Sequence, residues 1–261
     1  MIELNNITAG YGTARGGEPV LRQVSLTLAP GELLCIIGAN GSGKSTLLKT
    51  AAGLLAPMEG ALLVEGRPAA EMTRQELARQ IAWLAQGKSV PDMTVEQLVL
   101  HGRFPHLSYP RRYSRRDREL AEAAMAQMGL AELAERPLAT LSGGMRQNAF
   151  LAMALAQDAA YILLDEPTTY LDIAHQLRLM KTLRALADGG KGVAAVLHDL
   201  PLAFSFADRA ALVDQGRIIA CGPPEDLCRS GLIPEIFGVG LEYDAGKEQY
   251  FYRYEERQGE K

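Results

Sequence analysis

Gly38-Ala-Asn-Gly-Ser-Gly-Lys-Ser-Thr46 lies between the apolar run Leu33-Leu-Cys-Ile-Ile37 and the helix-like run Leu47-Leu-Lys-Thr-Ala-Ala52. Strand, glycine-rich loop and helix in that order are the setting a phosphate-binding loop requires. Gly38, Gly41 and Gly43 let the backbone curl so that successive amide N–H groups converge on phosphate oxygens. The helix that follows adds its positive dipole end to the same anion. Lys44 can reach the β- and γ-phosphates and the Ser45 hydroxyl can ligate Mg²⁺, with Asn40 and Thr46 completing the loop. A glycine turn that merely precedes a helix has no reason to hold Lys and Ser in this register. The stretch predicts binding of a nucleoside triphosphate.

Composition bounds the rest. The 261 residues suffice for one large α/β domain with a smaller inserted lobe. Hydrophobic residues make up 48% and charged ones 22%, ordinary for a soluble globular chain. A formal net charge of −4 offers no global basic field for DNA or RNA, so no nucleic-acid partner is expected. No apolar stretch approaches the ~20 residues that cross a bilayer. Met1-Ile-Glu-Leu-Asn-Asn6 lacks the basic start and apolar core of a signal peptide. Cys35, Cys221 and Cys228 have no metal-site spacing, and their odd number, with no export signal, favours reduced, buried thiols in a cytosolic protein.

Along the chain, residues 2–7 and 24–28 read as strands around a glycine-rich stretch at 10–17. Residues 61–65 form another short apolar run, Thr73-x-x-Glu76 reads as a capping box, and residues 81–84 as a buried strand ending near Gln86. From 87 to 147 the signals are helical: Thr94-x-x-Gln97 opens one helix and Ser114 caps another that runs to about 128. An alanine-rich helix then runs from Ser142 to about Gln157, followed by strands at 161–164 and 193–197 around a helix at 172–187. Such alternation predicts an α/β fold with a mostly parallel sheet covered on both faces. The expected division is a nucleotide-binding core at 1–86 and 148–231, a helical lobe at 87–147, and an extension at 232–261 ending in a hairpin that turns at Asp244-Ala-Gly-Lys247.

Three further motifs carry chemistry. Tyr161-Ile-Leu-Leu-Asp-Glu166 is a buried strand ending in two carboxylates, at the edge where open α/β sheets bind ligands. Asp165 is suited to hold Mg²⁺, directly or through water. Glu166, facing the opposite side, can accept a proton from an attacking water. Leu141-Ser-Gly-Gly-Met-Arg-Gln147 opens a second helix, where Ser142, Gly143 and Gly144 make either an anion site or a plain structural cap. His198, at the end of the strand at 193–197, is either a hydrogen-bonded core residue or a ligand group at the same sheet edge.

The order Tyr11, phosphate loop, Gln86, Leu141 to Gln147, Asp165-Glu166, Leu171-Asp172, His198 resembles the ATP-binding-cassette family over nearly the whole chain. The resemblance implies a P-loop NTPase (RecA-like) core with an antiparallel β subdomain and an inserted helical subdomain. It implies that Tyr11 stacks on adenine, that Gln86 contacts Mg²⁺ and the attacking water, and that His198 contacts the γ-phosphate. Lys44, Gln86, Glu166 and His198 are then the catalytic set. Ser142, Gly143 and Gly144 bind the γ-phosphate of ATP held by another copy, and Asp172 sits at the seam of that homodimer. His101-Gly-Arg-Phe-Pro-His106, Ala152-Met-Ala-Leu-Ala-Gln157 and Pro167-Thr-Thr-Tyr-Leu-Asp-Ile-Ala-His-Gln176 are similar to the ATPase subunits of iron–siderophore, haem and vitamin B12 importers. Two positions depart from the family pattern: Met145 replaces Gln, and Asn148 stands where a basic residue is common. The loss of a polar contact at Met145 bears on the rate of hydrolysis rather than on ATP binding.

Arg103, Arg111, Arg112, Arg115, Arg116 and Arg118 alternate with Phe104, His106, Tyr109 and Tyr113. Such a run is a solvated charged face, an RNA-stacking surface or, by the resemblance, the neighbourhood of a groove that receives a permease helix, with Arg103 and Phe104 as contacts. Some of these arginines can also lie near anionic lipid headgroups. The resemblance makes the protein a peripheral subunit on the cytoplasmic face of the cell membrane, working with a permease dimer and indirectly with a substrate-binding protein. The competing function is a soluble cassette ATPase of repair, translation or iron–sulfur assembly, or a cassette of another transporter class. Repair members typically carry a long coiled-coil insertion and translation members two cassettes, and neither feature is present here.

Overall fold

The structure, a computed structural model, describes residues 1–12, 17–87, 90–169, 171–247 and 249–253. Part of the expected glycine-rich stretch, Tyr170 and residues 254–261 of the expected extension lie outside them. The chain opens with β1 (Ile2–Gly10) and β2 (Pro19–Leu28), then enters β3 (Leu33–Ile37) and α1 (Lys44–Ala51). β4 (Glu59–Val64) and β5 (Arg67–Pro68) return to the first two strands, giving a four-stranded sheet ordered β2-β1-β4-β5. α2 (Arg74–Gln80) leads into β6 (Ile81–Leu84), and α3 (Val95–His101), α4 (Arg115–Gln127) and α5 (Gly143–Ala156) follow. β7 (Tyr161–Leu164), α6 (Ile173–Asp188), β8 (Gly192–Val196) and α7 (Leu200–Phe206) resume the alternation. The hairpin β9 (Arg209–Asp214) and β10 (Arg217–Gly222) precedes α8 (Pro224–Arg229), α9 (Leu232–Phe237) and the terminal hairpin β11 (Gly240–Asp244) and β12 (Gln249–Arg253).

The second sheet is ordered β10-β9-β3-β8-β7-β6, with every pair parallel except β10 against β9. Its centre reads as unbroken apolar runs because both faces are covered. Along β3, Leu33, Cys35 and Ile37 enter a core shared with α3 to α6, while Leu34 and Ile36 enter a core shared with α1 and the antiparallel sheet. Burial pushes the Cys35 thiol up to about 12, with Asp208 adding to the rise, so it stays a neutral core side chain. Cys221, by contrast, is exposed on the edge strand β10 and Cys228 is half-buried, against the expectation of three buried thiols. Parallel strands have one consequence for function: β3, β6, β7 and β8 all end at the same edge of the sheet. The phosphate loop, Gln86, the Asp165-Glu166 pair and His198 follow those four ends.

The sequence anticipated β6 and β7 to the residue and the caps of the intervening helices. Thr73, Thr94 and Ser114 each accept from the third helical amide, and Glu76, Gln97 and Asp117 return the bond to the capping residue. The expected lobe boundary at 147 falls inside α5, which packs on α3 and α4 and then runs back into the core. The hairpin β9–β10 was not anticipated, although Asp214-Gln-Gly216 carries turn chemistry, with Gln215 and Gly216 both at positive φ between the paired Asp214 and Arg217.

One expected surface residue is interior. Arg103, 6% exposed, pairs with Asp117 at 2.9 Å and donates to the carbonyls of Ala156 (2.8 Å) and Gln157 (3.2 Å) at the end of α5. Its guanidinium is spent on capping a helix C-terminus, so it is not free for a permease contact. Burial tends to raise Asp117, but its bonds from Ser114 and Arg103 outweigh this and hold the carboxyl below its usual range. Arg103→Ala therefore strands a buried carboxylate and is expected to cost about 3–5 kcal/mol in urea unfolding. The stabilisation from Asp117 is present above the unfolded carboxyl value of about 3.9 and fades as pH falls through its lower folded value. A loss below 1 kcal/mol in Arg103→Ala would remove this clamp from the account.

Candidate active site

The loop after β3 is shaped by close backbone approach. Gly38 has φ 156°, and a Cβ there would lie 2.1 Å from the Val213 carbonyl of β9. Gly43, at φ 107°, precedes α1 and leaves its first turn with no side-chain cap. Uncapped first-turn amides at a glycine-rich bend are an anion cradle. The β9–β10 turn braces the loop from behind, with Gly216 N–H donating to Ser42 O at 2.9 Å. Asn40 and Gly41 are exposed at the tip, whereas Lys44 and Thr46 are buried. Ser42 Oγ is buried without a hydrogen-bond partner among the described residues, a spare donor inside the loop.

Lys44 is 5% exposed, and its Nζ donates to Gly38 O at 3.0 Å and Ala39 O at 2.8 Å. Burial pulls its ammonium below the ordinary value, against the opposing pull of Glu166 and Asp165. Ser45 Oγ donates to Asp165 Oδ1 at 2.9 Å across the space between α1 and β7. Burial raises the Asp165 carboxyl above the usual range; the Ser45 bond lowers it and the nearby Glu166 charge raises it.

Glu166 lies two residues past the end of β7 in a left-handed conformation, so the expected strand alternation does not aim it, yet its partners are distinct from the Ser45 partner of Asp165. Gln86 Nε2 donates to its Oε2, His198 Nε2 lies 2.7 Å from its Oε1, and Thr169 Oγ1 donates to Oε2 at 3.3 Å. Its backbone has φ 49°, a left-handed conformation that costs a non-glycine residue on the order of 1–3 kcal/mol and persists only where surroundings impose it. So the carboxylate is held by two donors and a close imidazole on a strained backbone, and Glu166 borders the space beyond β6–β8.

A cavity of about 360 Å³ opens there, lined by Gln86, Asp165 and Glu166 on one side and by Gly143, Arg146 and Gln147 on the other. Ser142 caps α5 by accepting from Met145 N–H at 3.3 Å, and Ser142 and Gly143 are exposed. Asp172 caps α6 through the His175 amide at 2.8 Å and is also exposed. Met145 is half-buried against the larger core, so its thioether packs where the family pattern has an amide. Asn148 Nδ2 donates to Met128 O at 3.2 Å and ties α5 to the end of α4. Tyr11 is exposed, with Lys49 Nζ 3.3 Å from its hydroxyl and 5.5 Å from its ring centroid.

The residues present fit Mg²⁺ only in company with phosphates. Ser45, Asp165 and Gln86 offer hard oxygen donors, as Mg²⁺ prefers. Among the described residues no group of three or more His, Cys, Asp or Glu side chains could hold a metal by itself. Such a thin donor set suits an ion that arrives coordinated by a nucleotide.

The model of the ABC transporter family matches residues 21–169. The chain belongs to this family. It is 40% identical to the petrobactin import ATP-binding protein FpuD of Bacillus anthracis, covering 90% of this chain and 86% of that one. It is also 40% identical to the ferric enterobactin transport ATP-binding protein FepC of Escherichia coli, covering 89% and 85%. Among solved structures, an inward-facing metal-chelate type ABC transporter superposes with a TM-score of 0.81 at 27% identity, covering 97% of this chain and 95% of that one. A dimeric post-hydrolysis cassette, MJ0796, bound to ADP and phosphate superposes with a TM-score of 0.73 at 28% identity, covering 86% and 99%. As a member, the chain is an ATPase that powers transport, with the ABC ATPase fold.

Sequence reasoning missed Thr169, Lys49 and Gln147. Thr169 follows Glu166 by three residues, the spacing at which a hydroxyl can turn back on the chain, and Lys49 follows Lys44 by five on the same helix. Neither position has a motif of its own. Lys44→Ala removes the one buried cation of the loop. Phosphate release is expected to fall about 10²–10³-fold, the scale of losing one preorganised electrostatic group. Unchanged ATP affinity and turnover would show that the loop does not hold the phosphates.

Proposed function

We propose that the chain is the ATP-hydrolysing subunit of an importer for an iron–siderophore, haem or cobalamin-type cargo, acting as a homodimer beneath a membrane permease. The observation that carries the catalytic part is the joint placement of Lys44, Ser45, Gln86, Asp165, Glu166 and His198 at one edge of the parallel sheet. The cargo class follows the siderophore and haem importers among the relatives. One of these is the hemin import ATP-binding protein HmuV of Streptomyces coelicolor, 42% identical over 87% of this chain.

ATP lies with its phosphates in the amide loop and its adenine on Tyr11. Lys44 draws the β- and γ-phosphates inward, where a desolvated cation interacts most strongly. Ser45, Asp165 and Gln86 would hold Mg²⁺, which would supply positive charge against the phosphate oxygens. Glu166 accepts the proton of the attacking water, and Gln86, His198 and Thr169 keep its carboxylate aimed. Asp165 remains turned to Ser45. Ser142, Gly143 and Gly144, with Asp172 beside them, complete the ATP site of the other copy. Closure of the two copies thus depends on the γ-phosphate, and its loss lets them part.

A groove of about 380 Å³ between α1 and α2, lined by Leu54, Arg74, Leu77, Trp83 and Pro105, suits a permease helix. Leu54 is 62% exposed at its rim, and Phe104, under the Arg111 guanidinium at 4.5 Å, is 45% exposed nearby. With no helix among the described residues long and apolar enough to cross a membrane, the chain reaches the cytoplasmic face through such a contact. Glu166→Gln is expected to keep ATP, lose turnover and accumulate as an ATP-bound dimer that retains the permease in a pull-down from solubilised membranes. Adding Leu54→Arg to it should release the permease but not the nucleotide. Normal hydrolysis by Glu166→Gln refutes the base assignment; full permease recovery with Leu54→Arg refutes the groove.

A further inference from the structure

The two segments assigned above to the other copy's ATP, the turn before α5 and the loop before α6, are distant in sequence and meet at one side chain. His175, in the first turn of α6, lies over Gly144. A Cβ built on Gly144 would sit 2.7 Å from His175 Cδ2 and 2.9 Å from Nε2. A Cβ on Gly143 would meet nothing within 4 Å. The adjacent glycines thus have different reasons to be small: Gly143 leaves the cavity open, and Gly144 makes room for the imidazole.

The other edge of the ring is equally committed. Nδ1 lies 2.8 Å from both carboxylate oxygens of Asp172, and the His175 amide donates to Oδ1 at 2.8 Å. A carboxylate only accepts, so Nδ1 carries the hydrogen. The chain between Glu166 and Asp172 is strapped as well. Gln147 of α5 donates to Pro167 O at 3.2 Å, and Gln176 of α6 donates to Thr168 O at 3.3 Å and Leu171 O at 3.1 Å.

We propose that His175 is a positioning residue that locks Asp172 to the Gly144 turn, so that both engage the ATP of a second copy as one rigid piece. This rests on the homodimer reading. The close contacts of His175 among the described residues are with Asp172 and the Gly144 turn rather than with its own phosphate loop, so it acts through those two. Its loss therefore weakens assembly of the two-copy site while leaving ATP binding by a single copy intact.

The test is ATP turnover as a function of protein concentration for the wild type, His175→Ala, His175→Asn, Asp172→Ala and the Asp172→Ala/His175→Ala double variant. Binding of a fluorescent ATP analogue to dilute protein is measured beside it. His175→Ala should raise the concentration for half-maximal turnover about tenfold, the scale of one charge-assisted hydrogen bond, with analogue affinity unchanged. Asn, which keeps an N–H near the Nδ1 position, should recover part of the loss. The double variant should be no worse than Asp172→Ala alone, since residues acting through one contact do not add. An unshifted midpoint in His175→Ala, additive losses, or equally weakened analogue binding overturns the proposal while sparing the dimer. Wild-type turnover per copy that is independent of concentration overturns the dimer reading, and this one with it.

Discussion

A buried ammonium organises this molecule. Lys44 sits beneath the loop, and among the described residues only the Gly38 and Ala39 carbonyls are its hydrogen-bond partners. A charge removed from water is costly unless compensated, and two carbonyl dipoles compensate only part of it. The carboxylates at the end of β7 supply the rest at longer range, and the cost appears as the downward pull on Lys44 and the upward pull on Asp165. Both shifts are relieved by a polyanion that brings its own cation, since that adds negative charge beside Lys44 and positive charge beside Asp165. The proposed nucleotide, arriving with its own cation, would therefore meet electrostatics that already favour it.

Around that charge the parallel sheet does the positioning. Because β3, β6, β7 and β8 run the same way, their ends deliver a cation, a carboxamide, two carboxylates and an imidazole to one edge without any long-range folding of loops. The left-handed turn at Glu166, just past β7, then splits the carboxylates: Asp165 turns to Ser45 and Glu166 to Gln86 and His198. The strained backbone at Glu166 is the local cost of aiming the second carboxylate, and the Gln86 and Thr169 donors with the nearby imidazole hold it there.

Legibility in the sequence followed how local each determinant is. The phosphate loop was readable because glycines, Lys and Ser must lie in one short register. β7 was readable because an unbroken apolar run with both faces covered ends abruptly in Asp-Glu. The capping pairs at Thr73 and Thr94 were readable because both partners lie three residues apart; at Ser114 the cap was readable, but its return partner Asp117 was not. Arg103 was misplaced at the surface because its partners, Asp117 and the end of α5, are distant in sequence, and an arginine among arginines looks solvated. The role of β9 was invisible for a related reason: its value lies in pressing the Val213 carbonyl against Gly38 and in bringing Gly216 beneath Ser42, contacts across more than 170 residues. The pairing of His175 with Gly144 is of the same kind.

What remains is the division of labour between copies. The half-chamber at the sheet edge is built within one chain, whereas Ser142, Gly143 and Asp172, exposed, and Gly144, half-buried beneath His175, form a separate group that the account assigns to a neighbour. Mixing Lys44→Ala chains with Ser142→Arg chains tests this most directly. Each variant alone is inactive, but a mixed pair contains one chamber with an intact loop and an intact turn. Random pairing predicts about a quarter of wild-type turnover in an equimolar mixture, as expected for a two-fold assembly with shared sites. A mixture no more active than either variant alone contradicts the account.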